Sequence, residues 1–165
     1  MSNKLNSFLK FVDKALTAIE IPIVVVCGTL LIGLLLYAAL GRYFFHIGVP
    51  YEDELSRLFF TWLSLLGASY LLRSGEHPTV SLISDRVIAK RKRLGKFYQT
   101  FIYLSIITFL VIMLYATLDV LPLYYNYYTT VLRAPMIYYY YAGVVGLSFM
   151  IVRYFMKAVT FVLGD

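Results

Sequence analysis

Cysteine, tryptophan and histidine are almost missing from this chain of 165 residues: it has one cysteine, Cys27, one tryptophan, Trp62, and two histidines, His46 and His77. A lone cysteine excludes a disulfide framework or a thiolate metal cluster within the chain. Neither HExxH nor GxSxG occurs, so the usual metalloprotease and serine-hydrolase arrangements are missing as well. No Gly/Ser linker and no internal repeat divides the chain. Charge is scarce too, with 15% of residues charged, and it is confined to a few places. Between Glu20 and Arg42 lie 21 uncharged residues, between Lys96 and Asp119 22, and between Arg133 and Arg153 19.

What fills those gaps is apolar. The chain is 61% hydrophobic, with a mean hydropathy of +0.75, far from the ~45–50% apolar content of soluble domains. About 20 apolar residues at 1.5 Å each cross a hydrocarbon core, and all three runs are long enough. A fourth run, between Arg57 and Arg73, has only 15 uncharged residues and by itself could be a buried core helix. With three spans around it there is no soluble core for it to join. The expectation is an all-α, integral membrane four-helix protein forming a single domain over 1–165, with spans at about 21–43, 53–73, 97–119 and 135–157.

The basic residues orient it. Lys4, Lys10 and Lys14 precede the first span, seven cations lie from Arg73 to Lys96, and Arg153 and Lys157 follow the last run. Those are 12 of the 15 cations, and the other side keeps Arg42, Arg57 and Arg133. Basic residues stay in the cytoplasm, so both termini are expected there. The net charge of +6 then reflects topology and anionic lipid rather than nucleic acid. His46 and His77 fall near opposite surfaces and cannot ligate one haem together. No enzymatic constellation is visible, and the chain is expected not to be an enzyme.

Two segments outside the spans have helical periodicity. Leu5, Phe8, Leu9, Val12, Leu16 and Ile19 recur at helical spacing, with Lys4, Lys10, Asp13 and Lys14 largely opposite. This suggests a retained helix lying on the inner membrane surface before Pro22 opens the first span; the competing reading extends the first span at a tilt. In the central loop Val80, Ile83, Val87 and Leu94 mark one face. That pattern fits an interfacial helix, with Lys90, Arg91, Lys92 and Arg93 on lipid phosphates, or a plain basic loop.

The second span opens on Glu52, Asp53 and Glu54, which suit a helix N-terminus. Arg57 stands three residues after Glu54 and four after Asp53, so either can pair with it. Down the same helix Glu54, Arg57, Thr61, Ser64 and Ala68 form a polar-to-small stripe suited to close packing, within the chain or against another subunit. Eight of the 16 tyrosines fall between Tyr124 and Tyr141. Such a cluster serves as an interfacial belt or as a contact platform.

The pattern Pro50, Glu52, Glu54, Leu55, Arg57, then Trp62, Gly67, Ala68, Arg73, His77 and Val80 resembles the small membrane subunit (DctQ-like, the small permease) of TRAP transporters, the tripartite ATP-independent periplasmic transporters. Arg42 also fits. Tyr51 departs from the tryptophan usual before the first acidic position, and the third and fourth spans match only in hydropathy. The resemblance implies a non-catalytic scaffold in a bacterial inner membrane. Its partners would be a large membrane subunit, which carries the sodium and substrate sites, and a periplasmic substrate-binding protein. It implies no cofactor in this chain, Na+ coupling in the partner, and substrates such as C4-dicarboxylates or sialic acids. Docking candidates on the outer side are Arg42, Tyr51, Glu52, Asp53 and Arg133; the Glu54–Ala68 stripe is the candidate subunit interface. The rival reading is an independent small membrane protein, such as a dimeric exporter or orphan scaffold. An exporter normally needs a mid-span carboxylate, and none lies between Glu20 and Arg42.

Overall fold

A computed structural model describes residues 2–74 and 92–163. Among them are four α-helices: α1 (Ser2–Phe44), α2 (Glu52–Leu71), α3 (Lys92–Val120) and α4 (Ile137–Leu163). Short 3-10 turns, Leu72–Ser74 and Leu121–Tyr124, extend α2 and α3. The expected central-loop helix, with Val80, Ile83, Val87, Lys90 and Arg91, lies outside the described residues, as does His77. Lys92 and Arg93 stand in the first turn of α3.

Three helices, α1, α3 and α4, are long and apolar enough to cross a membrane. α1 differs from the expectation of a separate surface helix, because it runs unbroken through Pro22. Its 43 residues span about 65 Å, roughly twice a hydrocarbon core. Proline removes one backbone donor and strains the preceding turn. The N-terminal stretch is nevertheless held to the bundle, since Thr17 and Glu20 are buried against other helices. The segment is thus a continuation of the first helix and not a separate one.

The helices pack in the spatial order α1, α2, α4, α3. α1 and α2 run antiparallel, as do α3 and α4, whereas α2 and α4 run parallel: Gly28 faces Leu63, Gly143 faces Thr117 and Gly146 faces Leu65. At Gly146 the approach is closest, for a Cβ there would lie 2.7 Å from Leu65 Cβ. Glycine lets the α2 and α4 backbones meet where apolar packing against lipid alone supplies little drive. A small core of Leu72, Leu110, Leu147 and Tyr154 sits between α4, α3 and the turn after α2.

An open row of this kind leaves broad apolar faces. Ile32, Leu36, Phe109, Ile112 and Phe155 are all exposed. α2 is less apolar than its neighbours because its position differs. Leu66 and Ser69 are fully buried between α1 and α4, so this helix presents less surface to lipid and tolerates more polarity.

Candidate functional site

Polar side chains gather at both ends of the row. At one end, the hairpin end, lie the α1–α2 turn and the α3–α4 connection. The connection folds into a small hairpin: Tyr128 bridges Pro135, Thr129 N–H donates to Ala134 O at 2.9 Å, and Met136 N–H donates to Tyr127 O at 2.9 Å. Arg133 sits at its exposed tip with φ 52°, a left-handed conformation that non-glycine residues seldom adopt.

Glu54 holds this hairpin. Its carboxylate accepts from Thr130 Oγ1 at 2.9 Å, from Val131 N–H at 2.9 Å and from Leu132 N–H at 2.8 Å. The Tyr139 hydroxyl donates to Glu54 O at 2.7 Å. The first turn of α2 is thus tied to the hairpin and to the start of α4. The expected Glu54–Arg57 or Asp53–Arg57 pair does not form among the described residues. Helical spacing makes such pairs available, but two backbone N–H groups and a hydroxyl occupy the Glu54 carboxylate instead. Arg57 stays exposed, lining an open cleft of about 470 Å³ with Asp53, Glu54, Thr130 and Tyr139. Glu52 pairs with Arg42 at 3.0 Å, joining α2 to the end of α1. Tyr51 and Asp53 are exposed beside them. Of the tyrosine cluster, Tyr124 stacks on Tyr140 with centroids 4.5 Å apart, while Tyr125, Tyr127 and Tyr128 are exposed.

Replacing Glu54 with alanine leaves the Val131 and Leu132 amides without their acceptor. Their hydrogen exchange should rise by about tenfold or more, whereas Arg57→Ala should leave it unchanged. Unaltered exchange in the Glu54 variant would show that the hairpin holds itself.

Along α2 the stripe divides. Thr61 and Ser64 hydroxyls donate to the carbonyls of Arg57 and Thr61 on their own helix. Arg57, Ser64 and Ala68 are exposed, while Leu66 and Ser69 face the neighbouring helices. Arg57, Ser64 and Ala68 therefore lie on an open face, while Glu54 at the head of the stripe is used within the chain.

At the opposite, termini end is a cluster that the sequence reading passed over. Arg153 enters the sequence analysis only as one of the inner-side cations, yet it is 1% exposed, and Glu20 is 0% exposed. Arg153 Nη2 donates to Glu20 Oε2 and, at 3.2 Å, to Thr17 Oγ1. Ser69 Oγ donates to Glu20 Oε1 at 2.6 Å. Asp13 lies 3.3 Å from Arg153 Nη1 and 3.1 Å from Arg73 Nε. One ionic cluster thus joins α1, the end of α2 and α4. Its signal was available: Asp13, Thr17 and Glu20 follow one another by four and three residues, one helical face. Among the described residues no group of three or more His, Cys, Asp or Glu side chains could hold a metal ion.

The known proteins with which this chain shares sequence fit a membrane role for such a row. A curated relative, the sialic acid TRAP transporter permease protein SiaT of Haemophilus influenzae (strain 86-028NP), is 31% identical over 87 residues, covering 50% of this chain. The match spans only 14% of that permease. The family model for the DctQ component of the tripartite ATP-independent periplasmic transporters matches residues 31–164, a stretch that takes in the last two helices as well as the α2 motif. This chain belongs to that family: it is a DctQ-type membrane component of a TRAP transporter.

Proposed function

We propose that this chain is the non-catalytic small membrane subunit of a sodium-coupled, binding-protein-dependent transporter for organic acids of the C4-dicarboxylate or sialic acid type. In this reading it crosses a bacterial inner membrane four times, α2 being the fourth crossing, with both termini in the cytoplasm. It scaffolds the large membrane subunit, and its hairpin end helps to dock the periplasmic binding protein. Sodium and substrate are handled by the partner.

The observation that carries the reading is the open row of helices, with part of the α2 stripe left open. Arg57, Ser64 and Ala68 are exposed on α2, although small residues are most useful where another helix approaches closely. A helix of the large subunit is the occupant that the family membership suggests. Most of the related permease lies outside the matched segment, which leaves room there for a larger membrane part. For docking, Arg42, Tyr51, Glu52, Asp53 and Arg133 all belong to the hairpin end, which Glu54 braces. A rigid, polar surface suits recognition with little ordering cost.

The exporter reading gains one observation, the buried carboxylate of Glu20. It is bonded to Arg153 and Ser69, however, so it has no free side on which to exchange a proton or a substrate. The subunit reading is tested by affinity purification of the tagged chain co-expressed with its large subunit. Ser64→Trp and Ala68→Trp should each reduce recovery of that subunit by about tenfold, in line with other overpacked contacts. Ile32→Trp, on an exposed face of α1, should not. Full recovery with both α2 variants would remove the stripe from the interface.

A further inference from the structure

A cavity of about 670 Å³ opens at the termini end between α1, the turn after α2, α3 and α4. We propose that it is a binding site for the phosphate of an anionic phospholipid, held by Lys10, Lys14, Arg73 and Lys157 above the buried Arg153. All five cations line the cavity, and Asp13 is the one carboxylate among the lining residues. Asp13 is already engaged by Arg73 and Arg153. Among the described residues no ion pair forms to Lys10, Lys14 or Lys157, so the rim keeps an uncompensated positive charge.

The floor asks for an acceptor. Arg153 is 1% exposed, yet its Nε and Nη1 have no hydrogen-bond partner; Nη1 lies 3.3 Å from Asp13 Oδ1 without making a directed hydrogen bond. Buried donors left unmade are costly, and guanidinium donors match the oxygens of a phosphate. Leu9, Leu72 and Met156 line the same cavity and offer a glycerol backbone an apolar wall. α1 and α4 run on from here into their apolar segments, which gives acyl chains a surface that free phosphate would not use. Cationic pockets between spans on the cytoplasmic side are well suited to anionic headgroups. Assignment to the inner leaflet rests on the orientation proposed above.

The test is native mass spectrometry of the full chain in detergent, titrated with dioleoylphosphatidylglycerol, dioleoylphosphatidylcholine or inorganic phosphate. One phosphatidylglycerol should bind more tightly than phosphatidylcholine, and excess inorganic phosphate should not displace it. Lys10→Gln with Lys157→Gln should weaken phosphatidylglycerol binding by about tenfold or more at an unchanged melting temperature. Lys90→Gln with Lys92→Gln should weaken it less. Equal binding by the Lys10/Lys157 variant and the parent overturns the site. Displacement by phosphate makes it a free-anion site and overturns the lipid. Orientation is read separately by an impermeant thiol reagent on spheroplasts carrying Lys14→Cys in a Cys27→Ser background. Labelling there overturns the inner-leaflet assignment while leaving lipid binding measurable.

Discussion

Replacing Arg153 with leucine should be among the most damaging single changes this chain can suffer. The guanidinium is the only cation bonded to Glu20 among the described residues, and it joins α4 to α1 through Glu20, Thr17 and Asp13. Its loss strands the Glu20 carboxylate, 0% exposed, with Ser69 as its remaining donor. Breaking a buried pair from one side costs about 3–5 kcal/mol. The melting temperature of the detergent-solubilised protein should fall by of order 10 °C. Arg73→Leu is the informative control. That residue also pairs with Asp13, but its side chain is 47% exposed, and a pair of that kind contributes only about 0–1 kcal/mol. Replacing Glu20 and Arg153 together by leucine should recover part of the loss, because no buried charge is then left alone. If Arg153→Leu melted with the parent, the cluster would not be holding the three helices together.

The ease of reading this chain varied along its length for physical reasons. The runs within α1, α3 and α4 announce themselves because the side chains that fill them face outward and must be apolar. α2 was legible only from its neighbours and from the acidic start at Glu52–Glu54, since a helix buried between two others can carry Ser69 at no cost in lipid. The Glu54 brace was not legible. Helical spacing offered Arg57 as a partner one turn away, whereas the actual donors are 76 to 78 residues distant. Nothing in the local pattern encodes a contact that depends on where the hairpin lands. Arg153 misled in another way. Counting cations by side places each arginine on one side of the membrane without asking for its partner, but one lying level with a carboxylate on a neighbouring helix is drawn inward. The acidic face Asp13–Thr17–Glu20 was the clue, hidden by the periodic apolar residues around it.

The other large effect concerns transport. Glu20 and Arg153 are bonded to each other, α1 runs unbroken past Pro22, and α2, α3 and α4 are continuous helices. Discontinuous helices with open backbone groups are the usual means of holding ions and substrates at the midplane, and the described residues offer none. The chain should therefore move no solute by itself, yet uptake should depend on it, because the stripe Arg57–Ser64–Ala68 and the Glu54-braced hairpin are the surfaces proposed to hold the other two components. In a complete system, Ser64→Trp should reduce uptake in proportion to the large subunit lost from the complex. It should leave the affinity of the binding protein for its ligand unchanged.

The direct measurement is uptake of labelled sialic acid or a C4-dicarboxylate into liposomes under an inward sodium gradient, with the periplasmic protein outside. Vesicles should contain this chain alone, the large subunit alone, or both. Uptake at least about a hundredfold above background only when both are present, equivalent to roughly 2.7 kcal/mol in rate, is the result the scaffold account predicts. Solute accumulation with this chain alone would contradict the non-catalytic assignment. Full uptake by the large subunit without it would contradict the need for a scaffold.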